Sequence, residues 1–382
     1  MKDKALVAFS DTIITSALDR IRDVLESGWI AAGKNAREYE AHLARLAHRR
    51  HAVATSSATA AYEVGMRALG LRDGQMVFAA NSFVGMPLLC ARFDLEPVFC
   101  DVTVEAGMAP TWEQVAAVLT ERTVAVCLTQ LGGFVARDAL RIEQECRQRG
   151  IILIEDCTHA LGASYQQRYA GSFGDFSFAS TQATKVFSTG EGGGLLTDRE
   201  DVVQRARELM TFGSRERVSG GPIAYEEGYA WRASELAAAL GAAVFAEADD
   251  ILARRRQLAH TYDRLWEQAN LDQFGLRRAP VPDGCDPVWL RYVFLLPSDL
   301  PRQPLKDALF ARGFRLDGEL WSLPVPRHPV WQGCYEHLAF PGATYFTNHH
   351  ACLPLGLRLE TTDQEALMEA LYDILRHRAW TA

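Results

Sequence analysis

No apolar run in the 382-residue sequence approaches the ~18 residues that a membrane-spanning helix needs. The nearest candidate, A-A-A-L-G-A-A-V-F-A at 237–246, runs into charges soon afterwards. Paired cysteines are missing as well. Cys90, Cys100, Cys127, Cys146, Cys157, Cys285, Cys334 and Cys352 are scattered without a C-x-x-C spacing. Neither a metal site nor a disulfide framework is therefore expected, and the thiols read as reduced and buried in a cytoplasmic protein. Positive charge is in deficit, with a net charge of -8. That removes the electrostatic footprint of a nucleic-acid binder and argues against a membrane-surface role. The opening residues M-K-D-K-A-L-V-A-F-S-D carry early charges and no long apolar stretch, so no secretory signal is expected. Neither G-x-x-x-x-G-K-[ST] nor a G-x-G-x-x-G after a strand occurs, so triphosphate and dinucleotide sites of those types are not signalled.

What is present is ordinary globular composition, 48% hydrophobic and 23% charged, in a chain too long for one small core. From about residue 50, β-rich runs alternate with helical spacing. The strand expectations are 51–57, 76–80, 97–102, 123–130 and 151–157, with helices at 58–69 and 138–149 between them. Apolar strands separated by helices predict an α/β fold with a mostly parallel sheet covered on both faces. Ligands then bind at the carboxyl ends of the strands. Two more strands, 176–180 and 194–197, flank a polar, Gly-rich connection; a long loop at 212–228 and a long helical stretch at 233–265 follow. The expected division is a large domain, 1–250, and a smaller C-terminal α/β domain, 251–382, which takes the end of the linking helix and closes on an amphipathic helix at 362–376.

Three segments carry chemistry. The strand I-I-L-I-E-D-C leads buried apolar residues straight into Glu155 and Asp156. A buried carboxylate is costly unless paired, so the pair reads either as a cap or ion pair or as an acid holding a cofactor's ring nitrogen protonated. Lys185 sits in S-T-Q-A-T-K-V-F-S-T-G-E-G-G-G, a polar turn between two strands. A lysine is by default a solvated surface residue; in a partly buried turn it loses its proton more easily, as Schiff-base chemistry requires. Finally, T-S-S-A-T-A-A at 55–61 passes from strand end to helix start, which is either a common cap or an anion site. One cofactor needs a phosphate cradle, an acid and a lysine in that order along a parallel sheet.

With these motifs in place, the chain resembles the DegT/DnrJ/EryC1/StrS sugar aminotransferase family of fold-type I pyridoxal-phosphate enzymes. S-G-W-I-A-A-G (27–33), H-A-V-A-T-S-S-A-T-A-A (51–61), I-E-D-C-T-H-A-L-G-A (154–163), G-S-F-G-D-F-S-F (171–178) and T-K-V-F-S-T-G-E-G-G (184–193) carry the resemblance. It implies pyridoxal 5'-phosphate as cofactor and Lys185 as the Schiff-base lysine that also moves the substrate proton. Asp156 falls on the acid at the ring nitrogen and His159 on the residue at the ring's hydroxyl side. Ser57, Ala58 and Thr59 fall on the phosphate turn, with Ser180 as a further phosphate hydroxyl. Phe83 falls on the aromatic stacked on the ring, against the plain alternative of a core phenylalanine.

The resemblance also implies a homodimer, a small-molecule keto sugar substrate and L-glutamate as amino donor. The sugar is a nucleotide-linked 3- or 4-keto-6-deoxyhexose, with a ketocyclitol as close variant. Two other readings are a keto-deoxysugar dehydratase, whose relatives carry histidine in place of the lysine, and a non-catalytic regulator of the same fold; the intact Lys185 argues against the first, and Lys185 with Asp156 against the second. The chain departs from the family in three places. Ala58 stands for a usual glycine. Ala230, in G-Y-A-W-R-A-S-E, stands for an asparagine that reaches the partner's cofactor phosphate. Leu320 and Trp321 stand for a usual histidine and tyrosine in a substrate-lining loop. The nearby His328, His349 and His350 are candidates to stand in for that histidine, with surface or core roles equally open.

Overall fold

The structure is a computed structural model that describes residues 9–218 and 220–377. Residues 1–8, which make up most of the stretch read for a secretory signal, lie outside it. Helices Asp11–Ser27 (α1) and Lys34–Ala47 (α2) lead into a seven-stranded sheet. Its strands are His51–Thr55 (β1), Gly74–Ala79 (β2), Leu95–Cys100 (β3), Thr123–Thr129 (β4), Ile152–Asp156 (β5), Phe176–Ser180 (β6) and Gly193–Thr197 (β7). They lie in the order β1-β7-β6-β5-β4-β2-β3. The run from β6 to β3 pairs in parallel, while β7 is antiparallel to both β1 and β6.

The alternation of β4 shows why these residues make a central strand. Val126 and Leu128 join the cluster beneath α1 and α2, while Ala125 and Cys127 join the cluster on the opposite face. Successive side chains point to opposite faces, so a strand apolar at every position can only be satisfied between two helical layers. Ser57 caps the helix Ala58–Ala68 (α3), its hydroxyl accepting from the Ala60 N–H at 3.1 Å.

Two expectations need correction. The loop placed at 212–228 contains a hairpin, Ser214–Val218 with Gly221–Ala224. The long helical stretch is two helices, Glu235–Ala246 and Ala248–Ala269, meeting at Glu247. The expected division at residue 250 falls just inside the second of them. A C-terminal core gathers around Trp266, Tyr262 and Tyr292, with the small antiparallel sheet 277–278, 292–295 and 350–353 and the final helix Thr361–His377. The two halves are joined by the Asp101 carboxylate, which accepts the N–H groups of Gly342 and Ala343, both at 2.8 Å, at the start of the helix Pro341–His349.

Among the described residues no helix is long and apolar enough to cross a membrane. None of the eight cysteines is paired, and all but Cys285 and Cys334 are buried. Among those residues, too, no group of three or more His, Cys, Asp or Glu could hold a metal ion.

Candidate active site

At the carboxyl ends of β5 and β6, beside the start of α3, lies a cavity of about 440 Å³. Ser57, Ala58, Thr59, Phe83, Asp156, His159, Ser180 and Lys185, all singled out in the sequence, line it. The C-terminal half closes the cavity with Leu290, Arg291, Glu319, Leu320 and Trp321.

The Lys185 turn is held shut by its own hydrogen bonds. Thr181 N–H donates to Gly192 O at 3.0 Å, Ala183 N–H to Gly190 O at 2.9 Å and Lys185 N–H to Gln182 O at 2.9 Å. The Thr181 and Thr189 hydroxyls meet at 2.7 Å, and Tyr39 reaches Thr181 at 3.0 Å. Burial lowers the Lys185 ammonium from its ordinary value to about 8, against the opposing pull of Asp156 and with a further push from Arg291. Near pH 8, about half of such amines are free to act as nucleophiles.

Glu155 and Asp156 are adjacent but differ in role. Glu155 points away from the cavity and accepts from Gln130 Nε2 and Gly171 N–H, both at 2.9 Å, from Phe173 N–H at 3.0 Å and from Ser177 Oγ at 3.2 Å. It is a structural carboxylate. Asp156 lines the cavity and accepts from the Thr158 N–H at 3.0 Å. Burial raises its carboxyl above the usual range, opposed by hydrogen bonds from Thr158 and by the charge of Lys185. A cationic ring nitrogen beside it would relieve that cost.

His159 is buried with its Nδ1 unpartnered among the described residues, and burial first, then Lys185 and Arg291, push its ring well below the ordinary value. It stays neutral and can offer either ring nitrogen. Trp321 stacks on it, with ring centroids 5.7 Å apart, and lies at the same distance from Phe83. The Trp321 indole N–H is likewise buried without a partner. Phe83 is 41% exposed, which rules out the core alternative weighed for it.

At α3 the Ser57 hydroxyl is spent as a cap, so the plain reading of that serine is true. The N–H groups of Ala58 and Thr59 remain as first-turn donors at a helix N-terminus, a ready site for a phosphate. Ala58 is not among the residues with positive φ, so alanine fits where the family has glycine. Gly193 of β7 is the residue that cannot change, because a Cβ there would lie 2.6 Å from the Ala58 nitrogen. Ser180 Oγ accepts from the Gln182 N–H at 3.2 Å and faces the same cavity.

Residues 11–372 match the DegT/DnrJ/EryC1/StrS aminotransferase family. The chain belongs to this family. It is a pyridoxal-phosphate-dependent aminotransferase. Among curated relatives, the spore coat polysaccharide biosynthesis protein SpsC of Bacillus subtilis (strain 168) is 29% identical over 374 residues, covering 94% of each chain. A dTDP-4-dehydro-2,3,6-trideoxy-D-glucose 4-aminotransferase of Saccharopolyspora spinosa is 32% identical over 265 residues, 66% of this chain and 68% of its own. Among solved structures, the aminotransferase TlmJ from Streptoalloteichus hindustanus superposes with a TM-score of 0.87 at 26% identity, covering 99% of this chain and 100% of its own. DesI, solved in the presence of its TDP-sugar product, gives 0.86 at 28% identity, over 96% and 92% of the two chains.

The lining fits that cofactor: a buried acid with no ion-pair partner among the described residues, an amine of lowered basicity, a neutral histidine with an unused ring nitrogen, and helix N–H groups for a phosphate. Arg291, Leu290 and Glu319 line the same cavity and were not singled out in the sequence. One signal was there to find: Arg291 interrupts the apolar run V-W-L-R-Y-V-F-L-L at 288–296. Ala230 is exposed and stands outside the cavity lining. None of His328, His349 and His350 reaches the cavity.

Proposed function

We propose that this aminotransferase converts a keto sugar, a nucleotide-linked 3- or 4-keto-6-deoxyhexose, into the amino sugar, with L-glutamate as donor. The observation that carries the chemistry is the Lys185 amine, lowered to about 8, lining one cavity with Asp156. The sugar class is supported by the relative that acts on a dTDP-linked 4-keto sugar and by DesI with its TDP-sugar product.

In this reading the N-terminus of α3 and Ser180 hold the cofactor phosphate, Asp156 keeps the ring nitrogen protonated, and His159 and Phe83 orient the ring. Bound pyridoxal phosphate supplies a carbonyl carbon for the amine and a ring that takes up the electron pair left on the substrate carbon. The Lys185 Nζ holds the cofactor between turnovers and carries the proton to and from that carbon. The donor gives up its amine, takes an oxygen from water in its place and leaves as 2-oxoglutarate; the keto sugar takes the amine and releases its carbonyl oxygen as water, so no water is consumed overall. Because the two substrates use one cavity in turn, the kinetics are ping-pong.

A second copy completes the enzyme in this reading. On α1, Ile13, Ala17 and Val24 are buried, while Leu18 and Leu25 stay 57% and 61% exposed, followed by Trp29 at 64% and Ile30 at 59%. That apolar surface favours association into a homodimer.

The test is a pair of half-reactions. Pyridoxal phosphate added to the purified protein should give a yellow species that L-glutamate bleaches to the aminated cofactor. A panel of keto sugar nucleotides and ketocyclitols should then restore the colour, with the aminated product read by mass spectrometry. A bleached enzyme that no keto sugar nucleotide restores would refute the substrate class.

A further inference from the structure

Among the lysine and arginine side chains, Lys185 and Arg291 line the cavity. Lys185 is committed to the cofactor, so Arg291 is the cation left to meet a substrate. Its side chain is only 16% exposed. A guanidinium withdrawn from water needs partners for its five N–H donors. Among the described residues its side-chain partners are the Asp317 carboxylate at 3.4 Å and the Leu290 carbonyl at 3.3 Å. Glu319 on the same wall is paired to Lys306 at 2.7 Å and Arg302 at 3.3 Å, so its charge is met elsewhere.

The backbone carrying Arg291 is fixed from both halves of the molecule. Buried Arg255 donates to the carbonyls of Val288 at 3.2 Å and of Trp289 and Leu290, both at 2.9 Å. The Val288 N–H donates to Gly133 O at 3.0 Å, and a Cβ on Gly133 would lie 2.5 Å from the Leu290 nitrogen. Trp289 is held at a φ of 53°, a conformation that a bulky side chain rarely adopts. Such conformations persist where the surroundings over-determine them, and they cluster at ligand sites.

We propose that Arg291 receives a carboxylate of the amino donor. This rests on the glutamate reading above and deepens it. One cavity must serve an acidic amino acid and a sugar ring in alternation. Asp317 compensates the guanidinium when the sugar is present, while the remaining N–H groups form charge-assisted bonds when the acid is present. The side chain supplies a planar fork that suits a carboxylate, which a lysine would not.

The test compares L-glutamate with L-isoglutamine, which lacks the α-carboxylate, and with L-glutamine, which lacks the side-chain carboxylate. The readout is bleaching of the cofactor-loaded protein. The wild type should prefer glutamate over one of the two amides, and which one tells which carboxylate is bound. Arg291→Gln should lose that preference by about 10- to 100-fold, the worth of a hydrogen bond to a charged group. Arg291→Lys should keep part of it. The double variant Arg291→Gln with Asp317→Asn removes both charges together, so a stranded Asp317 does not stand in for the effect. A variant lacking the cation that keeps the full preference overturns this inference and leaves the glutamate reading standing. A wild-type protein that L-glutamate does not bleach overturns both.

Discussion

Two neighbouring carboxylates at the end of β5 show how little separates an acid sealed into the fold from one that faces a cavity. Glu155 spends its oxygens on four donors, whereas Asp156 faces a cavity with an unmet need for positive charge. Asp156→Asn tests the difference. On the role proposed for Asp156, its loss would leave the ring nitrogen without a counter-charge, and turnover should fall by about 10- to 100-fold, as for the loss of a hydrogen bond to a charged group. The stability effect has the opposite sign. The folded-state pKa of Asp156 is raised, so the cofactor-free fold binds a proton more readily than the unfolded chain, and stability rises as pH falls through that value. At neutral pH the buried charge is a cost. The cofactor-free Asp156→Asn protein should therefore melt no lower than the wild type in calorimetry while its activity collapses. A variant that loses both together would make Asp156 a structural acid like its neighbour.

At the scale of the element, the loop carrying Leu320 and Trp321 is set by the strand 350–353 behind it. His350 is buried there, its Nε2 accepting the Leu320 N–H at 2.9 Å and its Nδ1 lying 2.7 Å from Phe346 O. With Nδ1 donating to that carbonyl, the ring is neutral. Burial lowers it from 6.5 to about 4, with Arg302 adding to the shift and the Phe346 carbonyl and Glu319 opposing it. The unfolded chain then binds more protons than the folded one between those two values. The stability this histidine contributes is complete above about pH 6.5 and is lost as pH falls towards 4, by about 3 kcal/mol in all. His350→Gln should flatten that limb of a denaturation series taken from pH 7 to 4; an unchanged slope would remove His350 from the support of the loop. This element also shows what the sequence could convey. The strands of the main sheet were legible to within about two residues, because each is an apolar run closed by a turn and packed on both faces. That Ser57, Asp156 and Lys185 would share one cavity was legible too, since a strand end, an acid pair and a Gly-rich lysine turn are local patterns. The far wall was legible only in part. The resemblance marked the loop of Leu320 and Trp321 as substrate-lining, and both line the cavity, whereas Arg291 reaches it more than a hundred residues after Lys185 through contacts that leave no spacing in the chain, such as the seating of residues 288–291 on Gly132 and Gly133. The hairpin at 214–224 was missed for a related reason: its second strand is short and exposed and shows no buried alternation.

At the scale of the whole molecule, α1 carries two apolar stripes where one protomer uses one. Ile13, Ala17 and Val24 pack towards the helix Glu235–Ala246, and Ile14, Leu18 and Leu25 each follow a residue of this buried set by one position. One residue along a helix turns the side chain by about 100°, so the second stripe faces away from the core. In an isolated protomer such exposed positions are insensitive, and a substitution there shifts stability by about 0.5 kcal/mol at most. In a dimer each leucine removed from water contributes about 1.5–3 kcal/mol, and an aspartate in its place meets the apolar surface of the partner. Leu18→Asp with Leu25→Asp therefore separates the two cases. Light scattering on the eluting protein should report a wild-type mass of twice 42.4 kDa and a variant near 42.4 kDa. If the two masses agree, the outer stripe of α1 is not what joins the copies. A wild type that is itself monomeric at working concentration would remove the second copy from the enzyme altogether, and with it any reason for α1 to leave its outer leucines in water.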